Sequence, residues 1–106
     1  MIGFTAEQIR EIVERLYTGT ASETDESRFY RLSALPNFIE CVAIMEAELA
    51  GLSLPLIDRL WGGAIIATWE RWEPAVEYVR SQPHAEKVFV NFEVLARRLA
   101  ERRTGA

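Results

Sequence analysis

Apolar positions recur every three or four residues along nearly the whole chain, the spacing of helices that bury one face. Ile9, Ile12, Val13, Leu16 and Tyr17 form the first such stripe. Thr5 and Gln8 precede it in the arrangement of a capping box, and Gly19 follows as a stop. Arg10 to Glu14 and Glu11 to Arg15 are opposite charges at i,i+4 on the other side, each contributing about 0.2–0.5 kcal/mol. The small, polar stretch 19–24 reads as the longest loop. A long helical segment then covers about 25–50, interrupted by Pro36, where a missing backbone donor and a steric clash predict a kink or a break. Beyond it Phe38, Val42, Met45 and Leu49 line one face, broadened by Ile39, Cys41 and Ile44. That pattern predicts a central, largely buried helix, ended by Gly51.

Ser53 followed by Pro55 signals the next start. Leu56, Leu60, Ala64 and Ala67 share one line of this helix, and Ile57, Trp61, Ile65 and Trp69 a neighbouring one. Gly62 and Gly63 sit mid-helix at a cost of about 1 kcal/mol each relative to alanine, which points to close approach of another helix. Pro74 kinks or restarts the segment, because Trp72, Ala75, Val76 and Val79 keep the same spacing across it. Pro83 is expected to open a last helix with Val88, Phe89, Phe92, Leu95, Ala96 and Leu99 inside. Only 88–92 is locally ambiguous between helix and strand. The predicted fold is all-α: a single domain over 1–106, a compact bundle of four or five mostly antiparallel helices with short loops and kinks near Pro36 and Pro74.

Composition fits that fold. The 106 residues are 49% apolar and 26% charged, with eleven aromatic side chains to fill one core. The single Cys41 forms no internal disulfide, and the longest uncharged runs, 49–57 and 60–69, fall far short of the ~20 residues needed to span a bilayer. No signal peptide or myristoylation pattern is present at the start, so a cytoplasmic protein without a membrane role is expected. The net charge of −4 divides into −5 over 1–53 and +1 over 54–106.

From Pro36 onward, Asn37-Phe38-Ile39-Glu40, Leu60-Trp61-Gly62-Gly63-Ala64-Ile65-Ile66, Trp69-Glu70, Pro74 and Asn91-Phe92-Glu93 with Leu95-Ala96-Arg97 follow in order. Over about 36–100 the chain resembles a family of small helical bacterial and phage proteins known as domain of unknown function four-seven-six-zero. Members often carry an N-terminal membrane segment, which has no counterpart in this sequence. The resemblance implies a helical fold and a bacterial, phage or mobile-element origin, and no catalytic residues.

Several constellations bear on chemistry. The run 50–63 echoes a helix-turn-helix, yet Leu54, Pro55 and Leu56 stand where a recognition helix needs polar side chains. Glu46, Glu48 and Asp58 also outweigh Arg59 there, which argues against nucleic acid. Trp61, Trp69 and Trp72 read first as core and second as anchors for a partner. Glu70, Glu73 and Glu77 form an acidic stripe with His84 downstream, and Glu40 on another helix is a possible neighbour. The paired Glu-x-x-His motifs of a di-metal bundle are missing, so no metal or other cofactor is expected. Cys41 belongs to the apolar side of a buried helix, where thiols are inert, and one His offers no triad. Arg97, Arg98, Arg102 and Arg103 gather near the C-terminus, suited to the helix dipole or, through Arg98 and Arg102, to an acidic partner or a second copy.

The resulting expectation is a non-enzymatic, cytoplasmic, helical protein–protein interaction module, either self-associating or bound to another protein. The candidate partner-binding residues are Trp61, Trp69, Trp72, Arg98 and Arg102. The alternatives are a small acidic inhibitor of a host nuclease or defence protein, a ligand-binding bundle or unrecognised enzyme, and a helix-turn-helix-like DNA binder.

Overall fold

A computed structural model describes residues 3–48 and 53–105. They form four helices: α1 (Ala6–Thr18), α2 (Glu23–Glu48), α3 (Leu54–Arg80) and α4 (Val90–Thr104), with no strand among the described residues. α1 starts on the expected capping box, with Thr5 Oγ1 accepting from the Gln8 N–H at 3.1 Å and Gln8 Oε1 accepting from the Thr5 N–H at 2.9 Å. Gly19 closes it in the left-handed conformation (φ 76°) that glycine adopts without strain. Ser53 caps α3 by accepting from the Leu56 N–H at 3.3 Å.

The first loop is shorter than expected, because Ser22 and Asp25 cap α2 reciprocally. Ser22 Oγ accepts from the Asp25 N–H, and Asp25 Oδ2 accepts from the Ser22 N–H, both at 3.1 Å. Arg15 also turns from its expected partner Glu11 to grip both oxygens of Asp25, at 2.8 and 3.0 Å. This guanidinium, with the Ser22 N–H, holds the Asp25 carboxyl at about 2, well below the usual carboxylate value.

Pro36 and Pro74 lie inside α2 and α3, and neither breaks its helix. The last helix differs most from expectation. Pro83 does not open it; residues 81–89 form a string of tight turns, the longest described connection. His84 (φ 67°) and Phe89 (φ 55°) both adopt left-handed backbone, which interrupts any right-handed helix there. Val88 and Phe89 therefore precede α4, which begins at Val90.

α4 has no local cap: the Phe89 side chain makes no capping hydrogen bond. α2 supplies it instead. Glu40 Oε1 accepts from the Phe92 N–H at 2.7 Å, and Oε2 accepts from Asn91 Nδ2 at 2.8 Å. A carboxylate at a helix N-terminus is favoured twice, by the unpaired N–H groups and by the dipole. The core lies directly beneath. Phe92 and Leu99 are fully buried, and Trp69, Phe92, Phe89, Trp72 and Phe29 form a continuous chain of edge-on or tilted ring pairs. These pairs offset the left-handed backbone at Phe89, which costs roughly 1–2 kcal/mol.

The central helix is not buried all round. Pro36, Ile39, Val42 and Ala43 face the core, while Phe38, Ile44, Met45 and Cys41 are exposed, contrary to the sequence reading; Leu49, Ala50, Gly51 and Leu52 lie outside the described residues. On α3 the line of Leu56, Leu60, Ala64 and Ala67 is likewise exposed, whereas Ile57, Ile65, Trp69, Trp72, Ala75 and Val76 are buried.

Replacing Glu40 by Ala leaves the Phe92 N–H unpaired and is expected to cost about 1–3 kcal/mol. Amide exchange should accelerate first over residues 90–93. Uniform acceleration across α1 and α4, or an unchanged urea midpoint, would contradict the assignment of Glu40 as the cap.

Candidate functional site

The five residues that the sequence singled out do not converge on one site. Trp69 and Trp72 are core residues, 6% and 5% exposed, stacked in the aromatic chain. Trp61 is 40% exposed and packs edge-on against Phe38, which is 52% exposed, ring centroids 6.2 Å apart. Arg98 reaches Glu46 on α2 at 2.6 Å, and Arg102 reaches Asp58 on α3 at 3.3 Å. Both arginines thus face acids of their own chain.

The arginine fan of α4 accounts for several other signals. Arg103 Nε donates to Asp58 Oδ1 at 3.0 Å, and its guanidinium passes across Gly62. A Cβ at Gly62 would lie 2.8 Å from Arg103 Nη2 and collide with the Asp58 carboxylate. The close approach expected from the glycine pair is therefore a side chain of α4, not its backbone. Two arginines hold the Asp58 carboxyl below its ordinary value, Arg103 first. Arg97 bonds Glu93 at 2.8 Å and Glu73 at 3.3 Å, drawing Glu73 out of the acidic stripe. Glu40 is occupied at the start of α4 and does not join that stripe, and His84 lies in an exposed turn rather than a helix. The described residues contain no group of three or more His, Cys, Asp or Glu placed to hold a metal.

At the end of α3, Arg80 donates from Nε to the Val88 carbonyl at 2.9 Å and from Nη1 to Glu93 at 2.6 Å. The Arg80 contact is the leading reason the Glu93 carboxyl is held below its usual range. The guanidinium carbon lies 5.9 Å from the Trp69 ring centroid. Arg80 Nη2 is buried without a hydrogen-bond partner. This clamp fixes the 81–89 turns against α4 and is structural in its chemistry.

Two apolar surfaces remain. The first is a groove of about 580 Å³ lined by Val13, Leu16 and Tyr17 of α1, Phe29 of α2, Trp72, Val76 and Val79 of α3, and Val88 of the turns. Its edge is the Tyr17–Tyr78 pair, T-shaped at 5.9 Å. Sequence reasoning missed it because every lining residue except Phe29 belongs to a stripe that also reads as core; Tyr17, the last of its stripe and exposed, was the available signal. The second is the outer face of α2 with its neighbour on α3. Tyr30, Ala34, Phe38, Cys41, Ile44 and Met45 are exposed along α2, and Leu60 and Trp61 lie on α3. Between them Leu35, Phe38, Trp61 and Ala64 border a shallow dent of about 40 Å³. Both linings consist of aliphatic and aromatic residues. No described helix is long and apolar enough to cross a membrane.

Acrylamide should quench one component of the tryptophan emission and leave the rest blue-shifted, and Trp61→Phe should remove the quenchable component. Uniform quenching of all three tryptophans would contradict this burial pattern.

No curated protein and no solved structure shows significant similarity to the chain. A family match covers residues 4–99, reaching further back than the 36–100 resemblance and taking in α1, α2, α3 and α4 as far as Leu99. The chain belongs to the family described as a domain of unknown function, DUF4760.

Proposed function

We propose that this protein is a non-catalytic helical interaction module that binds protein through the outer face of α2 and the adjoining Trp61. The observation carrying this reading is that over residues 34–45 α2 carries apolar side chains on its exposed side as well as on its covered one. Ile39, Val42 and Ala43 are buried, whereas Tyr30 and Phe38 are 82% and 52% exposed beside Ile44 and Met45. A helix apolar on all sides belongs in a covered setting. Contiguous exposed apolar patches mark contact surfaces, and a half-exposed tryptophan is a frequent anchor in them. The inhibitor reading draws less support, because Glu14, Asp25, Glu40 and Glu46 of the acidic half are all held within the chain.

With benzoyl-phenylalanine in place of Phe38, irradiation of expressing cells should give an adduct of discrete mass with a second polypeptide, absent when the same group replaces exposed Glu101. Absence of any discrete adduct at position 38 would overturn the reading.

A second reading, an apolar-ligand-binding bundle, is favoured by the α1–α3 groove. Its volume of about 580 Å³ lies within the roughly 300–1,000 Å³ usual for small-molecule sites. In a Trp61→Phe, Trp69→Phe background, Trp72 in the groove wall should be quenched saturably by a brominated fatty acid. Linear, unsaturable quenching would remove this reading.

A further inference from the structure

The exposed face of α2 carries a short heptad pattern that the monomer does not use. Arg31, Phe38 and Met45 are seven residues apart, and Ala34, Cys41 and Glu48 follow each of them by three. All six are exposed. Their 3,4,3,4,3 spacing makes one narrow seam about 26 Å long, the arrangement of a and d positions in a coiled coil.

The order of residue types along that seam is self-complementary when the helix is reversed. Two copies of α2 laid antiparallel about a two-fold axis between Ile39 and Glu40 bring each a position opposite a d position. Arg31 then faces Glu48 of the second copy, Ala34 faces Met45, and Phe38 faces Cys41, each pairing occurring twice. Charge meets opposite charge at both ends, and a small side chain meets a large one in every layer between. Parallel pairing instead puts Arg31 on Arg31, Phe38 on Phe38 and Glu48 on Glu48, which repels at both ends. Neither Arg31 nor Glu48 makes an ion pair among the described residues, so both are available to a second chain. Trp61, already seated edge-on against Phe38, widens the contact on the α3 side.

We propose that the partner of the α2 face is a second copy of this chain, paired antiparallel about a two-fold axis with Arg31 opposite Glu48. This rests on the interaction-module reading and gives it a specific occupant. A two-fold contact is isologous: the same patch serves both subunits, and each favourable pair is counted twice. Cys41 lies within one layer of the axis, so the two thiols of a pair are close neighbours.

Sedimentation equilibrium of the 106-residue chain should show a reversible dimer. Arg31→Glu alone, or Glu48→Arg alone, places like charges opposite each other twice and should raise the dimer Kd about tenfold or more. The double variant Arg31→Glu/Glu48→Arg should restore it to near the original value, and far-UV circular dichroism should stay unchanged throughout, since both residues are exposed. A short bismaleimide should couple Cys41 to Cys41 in the parent and the double variant, and poorly in either single variant. A protein that is monomeric at every concentration, or a double variant that fails to recover, would overturn the pairing. A monomer that still gives a discrete Phe38 adduct with a different polypeptide refutes this inference and leaves the module reading standing. A monomer with no adduct at all refutes both.

Discussion

The geometry of the molecule depends on where Glu40 meets the start of α4. Every helix begins with N–H groups that have no partner inside the helix, and the first residues usually supply one. α1 and α3 do this with Thr5 and Ser53, and α2 with Ser22. α4 does not, because Phe89 stands at its capping position and turns its ring into the core. The side-chain cap at the start of α4 therefore comes from the carboxylate that α2 brings. Helix and core form together: without Phe92 buried, Asn91 and the Phe92 N–H do not reach Glu40, and without Glu40 the most buried aromatic ring follows an unpaired backbone. Coupling of this kind ties local order to a contact some fifty residues away in sequence.

The arginines complete what that contact begins. Arg80 holds the turns before α4, Arg97 ties α4 to α3, Arg98 ties it to α2, and Arg102 and Arg103 share Asp58. Partly exposed pairs are each worth little, roughly 0–1 kcal/mol. Their joint effect is orientational, since they span the length of α4 and reach two different helices. With α4 wedged on one side of α2, the opposite side of α2 has no helix left to cover it.

How far this was legible in the sequence follows from the range of the interactions concerned. Three-residue capping signals and the 3,4 apolar stripes are local, and they placed α1 and the approximate spans of α2 and α3, although no break occurs at Pro36 or Pro74 and the Ser22 cap of α2 was not read. The family resemblance, carried by Asn37–Glu40, Leu60–Ile66 and Asn91–Arg97, agreed with the family to which the chain belongs. The start of α4 was not legible, because Pro83 is a genuine local signal overridden by left-handed backbone at His84 and Phe89. Periodicity also finds apolar stripes without saying which is covered. It treated Ile39 and Cys41, or Ile57 and Leu60, alike, although the structure buries the first of each pair and exposes the second. The same limit left Trp61 undistinguished from Trp69 and hid the groove between α1, α2 and α3.

The exposed apolar residues have a common origin in the way the four helices close. A radius of gyration of 14.6 Å exceeds the roughly 13 Å of a compact domain of this length. α2 and α3 are both long, and they touch less extensively than α1 does with α3. One edge of the bundle stays open as the groove, and the other as the α2 face. If exposed apolar residues served only solubility-neutral filler, the α2 face would have no reason to order charge and size as it does. Over six heptad positions it places a cation and an anion at opposite ends and alternates large with small between them. A core-facing stripe needs apolar volume alone, and a solvent-facing stripe needs polarity alone; an order that becomes its own complement when the helix is reversed, anion opposite cation and small opposite large, is what a self-recognising surface requires.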